Sequence, residues 1–188
     1  LAFTLSIKNI LGAKLRTFLN VFVLSFSFVV IIGLKGVMDG WDDQARRDSI
    51  NWQFGQGQLI HEDYDPLDPF TILDGKGPIP DKISGLTPIL VHQASIYPQG
   101  RMLGITIKGI NPSQKSVLLP TKVLTNSKYN YPVIIGKRMA ESSKLSIGDE
   151  FLIRWRDENG TYDANRITVV DIFDSNVPAI DSGQIWMS

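Results

Sequence analysis

Cysteine is absent from the sequence, which excludes disulfides, thiolate metal sites and a cysteine nucleophile. A reducing cytosol and a bacterial periplasm both tolerate that absence, so the compartment has to be read from topology. Net charge is missing as well. The 19 basic and 19 acidic residues cancel, leaving no overall positive field to gather nucleic acid and no acidic surplus of the kind that marks a disordered tail. No G-x-x-x-x-G-K-[ST] segment occurs to cradle nucleotide phosphates, and no G-x-S-x-G segment to present a nucleophilic serine. The glycine clusters GQGQ at Gly55 and GKGP at Gly75 read as turns.

Histidine is scarce. His61 lies in HEDYD beside Glu62, Asp63 and Asp65, a grouping that a metal ion accepts but that an exposed acidic loop accounts for more simply. His92 lies within an apolar run and reads as a packed or hydrogen-bonded residue. Asn159-Gly160-Thr161 has the form of a glycosylation sequon and reads as a turn. No catalytic, cofactor-binding or metal-ligating residue is therefore assigned, no cofactor is expected, and substrate-binding residues stay unassigned. Enzymatic activity is not expected of this chain.

What the sequence does have is an uneven distribution of apolar residues. From Thr17 to Leu34, TFLNVFVLSFSFVVIIGL carries no charge, and at about 1.5 Å per helical residue it spans roughly 27 Å, close to the thickness of a bilayer core. A buried core helix shows a polar stripe, whereas here apolar side chains surround the axis. A cleaved signal peptide has a shorter apolar region and a small-x-small site, and LKGVMDGW offers none. An uncleaved anchor fits best. Lys8, Lys14 and Arg16 precede the span with no acid among residues 1–16, while Asp39, Asp42 and Asp43 follow it. The positive-inside rule then puts the N-terminus in the cytoplasm and the rest outside.

Residues 1–16 have apolar positions at Phe3, Ile7, Ile10, Leu11 and Leu15, suited either to a short helix on the lipid surface or to a plain extension of the span. Beyond the span, Val37, Met38, Trp41 and Ala45 keep helical spacing, so the helix is expected to run on into water. The expected organisation is an interfacial segment 1–16, a transmembrane helix 17–36, a helical extension 37–51 and a folded domain 52–188. Within that domain the predicted strands are Gln58–His61, Pro88–Ile96, Met102–Ile110, Phe151–Arg156 and Arg166–Phe173, with DENG (Asp157 to Gly160) as a hairpin turn. EDYDPLDPF and DGKGPIPD read as loops. One helix is predicted over Lys137–Lys144, giving an α+β class.

Four segments carry a family resemblance. KLRTFLNVF (Lys14 to Phe22), with GLKGVMDG leaving the span, resembles the opening of FtsX-like ABC transporter permeases. ITIKGINP (Ile105 to Pro112) and IGKRMAESSKLSIGDEF (Ile135 to Phe151) are similar to the MacB-like periplasmic core domain, Asn111 standing where Asp is usual. In the second of these, Gly136 opens the helix, Met139, Ala140 and Leu145 are placed to face the sheet, and Gly148 with Asp149 makes a tight, positive-φ turn. ITVVDIFDSNVPAIDSGQIWMS (Ile167 to Ser188) resembles the family's closing strand, in its lipoprotein-releasing branch.

The resemblance implies an α+β periplasmic domain and an inner-membrane permease subunit that couples ATP hydrolysis to periplasmic movement. It implies a separate cytoplasmic ABC ATPase and a second permease subunit, identical or not. It also implies contact with membrane lipid and with a lipoprotein, a peptide or a periplasmic partner protein. The family has four transmembrane helices, so the sequence is expected to be a portion of a longer protein, its last strand interrupted at Ser188. The alternative is a single-span anchored binding or scaffold protein.

Overall fold

The computed structural model describes residues 2–12, 14–65, 67–72, 85–157 and 159–188. Two compact units emerge, Leu1–Arg46 and Arg47–Ser188. The first is helical. Helix α1 covers Ala2–Gly12 and α2 covers Lys14–Ser49, followed by a π-helical turn, Ile50–Phe54. The run-on predicted beyond the apolar stretch is present, because α2 continues through Trp41 and the charged DDQARRDS segment.

The second unit is a closed barrel. Its strands are β1 (Ile89–Ile96), β2 (Leu103–Ile110), β3 (Pro132–Gly136), β4 (Glu150–Arg156), β5 (Tyr162–Phe173) and β6 (Gln184–Met187), joined around the barrel in the order β1-β2-β6-β3-β5-β4. Two short helices accompany them, α3 (Lys137–Ser143) and α4 (Pro178–Gly183). Closure comes from antiparallel pairing of Ala94–Ile96 in β1 with Ile153–Trp155 in β4. Two of the six ladders are parallel, β2 with β6 and β3 with β5.

Side-chain alternation along the strands produces two cores. Ala94, Ile96, Ile105, Val133, Ile135, Phe151, Ile153, Ile167, Val169 and Ile185 come from all six strands and fill the barrel. Met139, Ala140 and Leu145 of the α3 segment plug it, as the spacing of those residues predicts. Ile110, Ile134, Phe173 and Trp186 point the other way and pack with Leu119, Leu124 and Ile180 on the outer face. Trp52, just past α2, stacks on Phe173 with ring centroids 6.1 Å apart. Strands β3 and β6 thus bury both faces, which is why PVIIG and QIWM lack any polar alternation.

The α+β class expected of a MacB-like periplasmic core domain is corrected by this arrangement: the unit is a closed six-stranded β-barrel, with helices of only seven and six residues. The physical reason is that closure rests on pairings between strands far apart in sequence, which local periodicity does not encode. Gln58–His61 is also corrected, since it forms no strand and leaves Leu59 and Ile60 exposed. Every barrel strand is paired on both sides, so no edge remains for QLIH to join. The segment DGKGPIPD, with its Gly75 cluster, and the side chains of Phe3, Ile10 and Leu11 lie outside the described residues.

The turn predicted at Gly148 is present, with φ of 95°. Its N–H donates to the Val169 carbonyl at 2.8 Å, and the Val169 N–H donates back to the Asp149 carbonyl at 3.0 Å. Asp149 Oδ2 accepts from the Ser146 N–H at 2.8 Å. The turn is therefore clipped to the middle of β5, and α3 is fixed over the barrel end by the same contacts. A Cβ at Gly148 meets no neighbour within 4 Å, so the cost of a substitution is backbone strain alone. Gly148→Val is expected to destabilise the barrel unit by about 1–3 kcal/mol. An unchanged midpoint in chemical denaturation would remove this account of the turn.

Candidate functional site

In α2 the side chains from Phe18 to Leu34 are exposed wherever they are large and apolar, and no residue of the helix is buried. Phe18, Phe22 and Phe26 form a stacked ladder at one-turn spacing, with successive centroids 6.3 Å apart. The Ser27 hydroxyl donates to the Val23 carbonyl at 2.8 Å, so that polar group is satisfied within the helix itself, as a non-aqueous surrounding requires. Charge reappears at Lys35, where Nζ lies 3.2 Å from Asp39 one turn on. Among the described residues this is one helix long and apolar enough to cross a membrane.

The barrel unit places the residues that the sequence singles out. In the acidic loop, Asp65 Oδ1 accepts the Leu67 N–H at 2.8 Å and Asp68 Oδ1 accepts the Phe70 N–H at 3.0 Å. These carboxylates are occupied in shaping turns. Tyr64 donates its hydroxyl to the Val91 carbonyl of β1 at 3.3 Å, and burial, with Asp65 adding to it, pushes that phenol up from its ordinary value. Phe70 lies under the Arg156 guanidinium at 4.8 Å. The loop is tied to the barrel wall at both points. His61 approaches Asp63 at 3.6 Å, and among the described residues no group of three or more His, Asp or Glu side chains is placed to share a metal ion.

His92 is half-buried on β1, far along the chain from His61. Burial lowers its imidazole below the ordinary value, and a hydrogen bond to the Arg156 backbone partly offsets the shift. The Asp157–Gly160 turn closes the β4–β5 hairpin as expected, with the Asp157 N–H donating to the Thr161 carbonyl at 2.8 Å. Asn111 caps the turn after β2, its Oδ1 accepting from the Ser113 N–H at 3.0 Å.

The most constrained polar group carries no mark in the sequence. Asp181 of α4 is 1% exposed, and its carboxylate accepts the N–H groups of Lys137 at 2.9 Å and Arg138 at 3.1 Å. It caps α3 across 44 residues of chain, in place of the local side chain that Gly136 lacks. Arg138 Nε, 3.4 Å from the same carboxylate, completes the neutralisation. A Cβ at Gly136 would overlap the Cα and carbonyl oxygen of Asp181, so glycine is what permits the two helices to meet. The sequence signal was the Ile-Ile-Gly step before the helix; Asp181 itself gives none.

Lys108 is a second buried polar group. It is 8% exposed, and its ammonium sits 4.8 Å from the centre of the Trp186 ring on the neighbouring strand. Burial lowers its pKa from the ordinary value. Trp186 Nε1 and Gln184 Oε1, on the same outer face, have no hydrogen-bond partner. Chemically, the described residues of the barrel unit show a buried cation in Lys108 and a helix capped by Asp181, and among them no assembled nucleophile, base and orienting group. Compared with protein-family models and with curated proteins, the chain finds no match.

Proposed function

We propose that the chain is part of a permease subunit of an ABC transporter of the FtsX-like kind, working by mechanotransmission. On this reading α2 anchors in the bacterial inner membrane with the N-terminus in the cytoplasm and the barrel in the periplasm. ATP is hydrolysed in a separate cytoplasmic subunit. A second permease subunit completes the pair, and the barrel engages a lipoprotein, a peptide or a periplasmic partner protein.

The observation that carries the reading is the unbroken helix Lys14–Ser49. At about 1.5 Å per residue its 36 residues reach roughly 54 Å, about twice the hydrocarbon thickness it has to cross. A helix that ends at the bilayer surface anchors; one that continues in the same rod is suited to transmitting displacement. Charge supports the orientation, with Lys8, Lys14 and Arg16 before the span and Lys35 offset by Asp39 after it.

A single-span anchored binding or scaffold protein is the second reading, favoured by the fact that only one spanning helix occurs among the described residues. Affinity capture of the native protein from membranes in mild detergent separates the two. The permease reading predicts co-purification of a nucleotide-hydrolysing subunit and a second membrane subunit. Recovery of periplasmic partners with no ATPase, in repeated captures, would favour the scaffold.

A further inference from the structure

In the barrel unit, the β1–β2 hairpin turn at Pro98–Gly100 faces the end of α3 across a cleft of roughly 100 Å³. Gln99, Arg101, Leu103, Ser142, Ser143 and Lys144 line it. Ser143 is 7% exposed, and its hydroxyl has no hydrogen-bond partner. A buried hydroxyl without a partner is rare, because its desolvation is uncompensated. Arg101 and Lys144 bring two cations to the same cleft. Among the described residues no carboxylate lines it, and neither cation is in an ion pair.

The backbone adds an independent observation. Gln99 (φ 52°) and Lys144 (φ 53°) are the two non-glycine residues with positive φ among the described residues, and both line this cleft. Position 144 is the left-handed C-cap of α3, where glycine is the unstrained choice. Strain retained in two facing segments is characteristic of ligand clamps. The C-terminal end of α3 by itself disfavours an anion, and Arg101 and Lys144 supply the charge that outweighs it.

From this convergence we infer that the cleft binds a phosphoryl group, a function separate from the membrane reading above. The arginine fork matches two phosphate oxygens, Lys144 supplies a point charge, and the Gln99 amide, with the Ser143 hydroxyl once it turns from its closed position about χ1, gives neutral donors to the remaining oxygens. The volume suits a group of a few heavy atoms and not a drug-sized ligand. Inorganic phosphate and the headgroup of an anionic phospholipid present the same chemistry.

The test uses the full chain in maltoside micelles, which contain no phosphate, with the amide signals of Ser143 and Lys144 followed by NMR. One arm adds inorganic phosphate, a second adds phosphatidylglycerol, and a third adds chloride at matched ionic strength. Saturable shifts are expected in the first arm, the second or both, the pattern identifying the source, and none with chloride. Arg101→Gln is expected to weaken binding about tenfold without lowering the melting temperature. Lys144→Gly is expected to weaken it similarly while raising the melting temperature, because it relieves the left-handed strain. No saturable shift with either phosphate source, or binding in both variants as tight as in the parent chain, would overturn the inference.

Discussion

Gly136→Ala is expected to prevent the barrel unit from folding stably, with a loss of at least about 4 kcal/mol, among the largest effects a single methyl group produces. The added Cβ would overlap backbone atoms of Asp181, and backbone cannot swing aside as the end of a long side chain can. To make room, α4 has to leave α3. That movement breaks both bonds from Lys137 and Arg138 to the Asp181 carboxylate and exposes Ile180, which is fully buried. The cost therefore adds a steric term, a capping term and a burial term. Chemical denaturation of the full chain in detergent, followed by tryptophan fluorescence, measures it. A variant within about 1 kcal/mol of the parent would show that the junction yields easily.

Asp181→Ala is the second large effect, expected to cost about 3 kcal/mol. It leaves two N–H groups at the start of α3 without an acceptor in a site that is almost closed to water. Asp181→Asn keeps one acceptor oxygen and the shape, and is expected to recover about half of that loss. If alanine and asparagine were equally mild, the carboxylate would be a bystander and α3 would be held by its buried face alone. The comparison of the two variants by thermal melting decides which contact fixes the helix over the barrel.

Local features of this molecule are legible in the sequence wherever one short segment carries the whole cause. The apolar run after Arg16, the Lys137–Ser143 helix with its buried Met139 and Ala140, the DENG hairpin and the positive-φ Gly148 all depend on neighbours a few residues away. Features that depend on distant partners are not. Closure through Ala94–Ile96 and Ile153–Trp155 has no local mark, and the two-sided burial of β3 hides it within a run that reads as the approach to a helix. Asp181 sits in a tail whose pattern suggests only a closing strand, yet its role is to cap a helix far back in the chain. The cleft beside Ser143 is likewise assembled from two turns that the sequence presents as unrelated.

The absence of cysteine makes the central claim directly testable, because any introduced thiol is the only one in the chain. Asn159 lies in the exposed β4–β5 turn and Lys8 lies in α1, ahead of the apolar stretch. Asn159→Cys and Lys8→Cys, each alone, are to be probed with a membrane-impermeant maleimide in cells whose outer membrane has been opened and whose inner membrane is intact. Anchoring by α2 with the barrel in the periplasm predicts labelling at position 159, and protection at position 8 until the inner membrane is lysed. Protection at 159 together with labelling at 8 would contradict the orientation, and full labelling at both positions before lysis would contradict the membrane anchor itself.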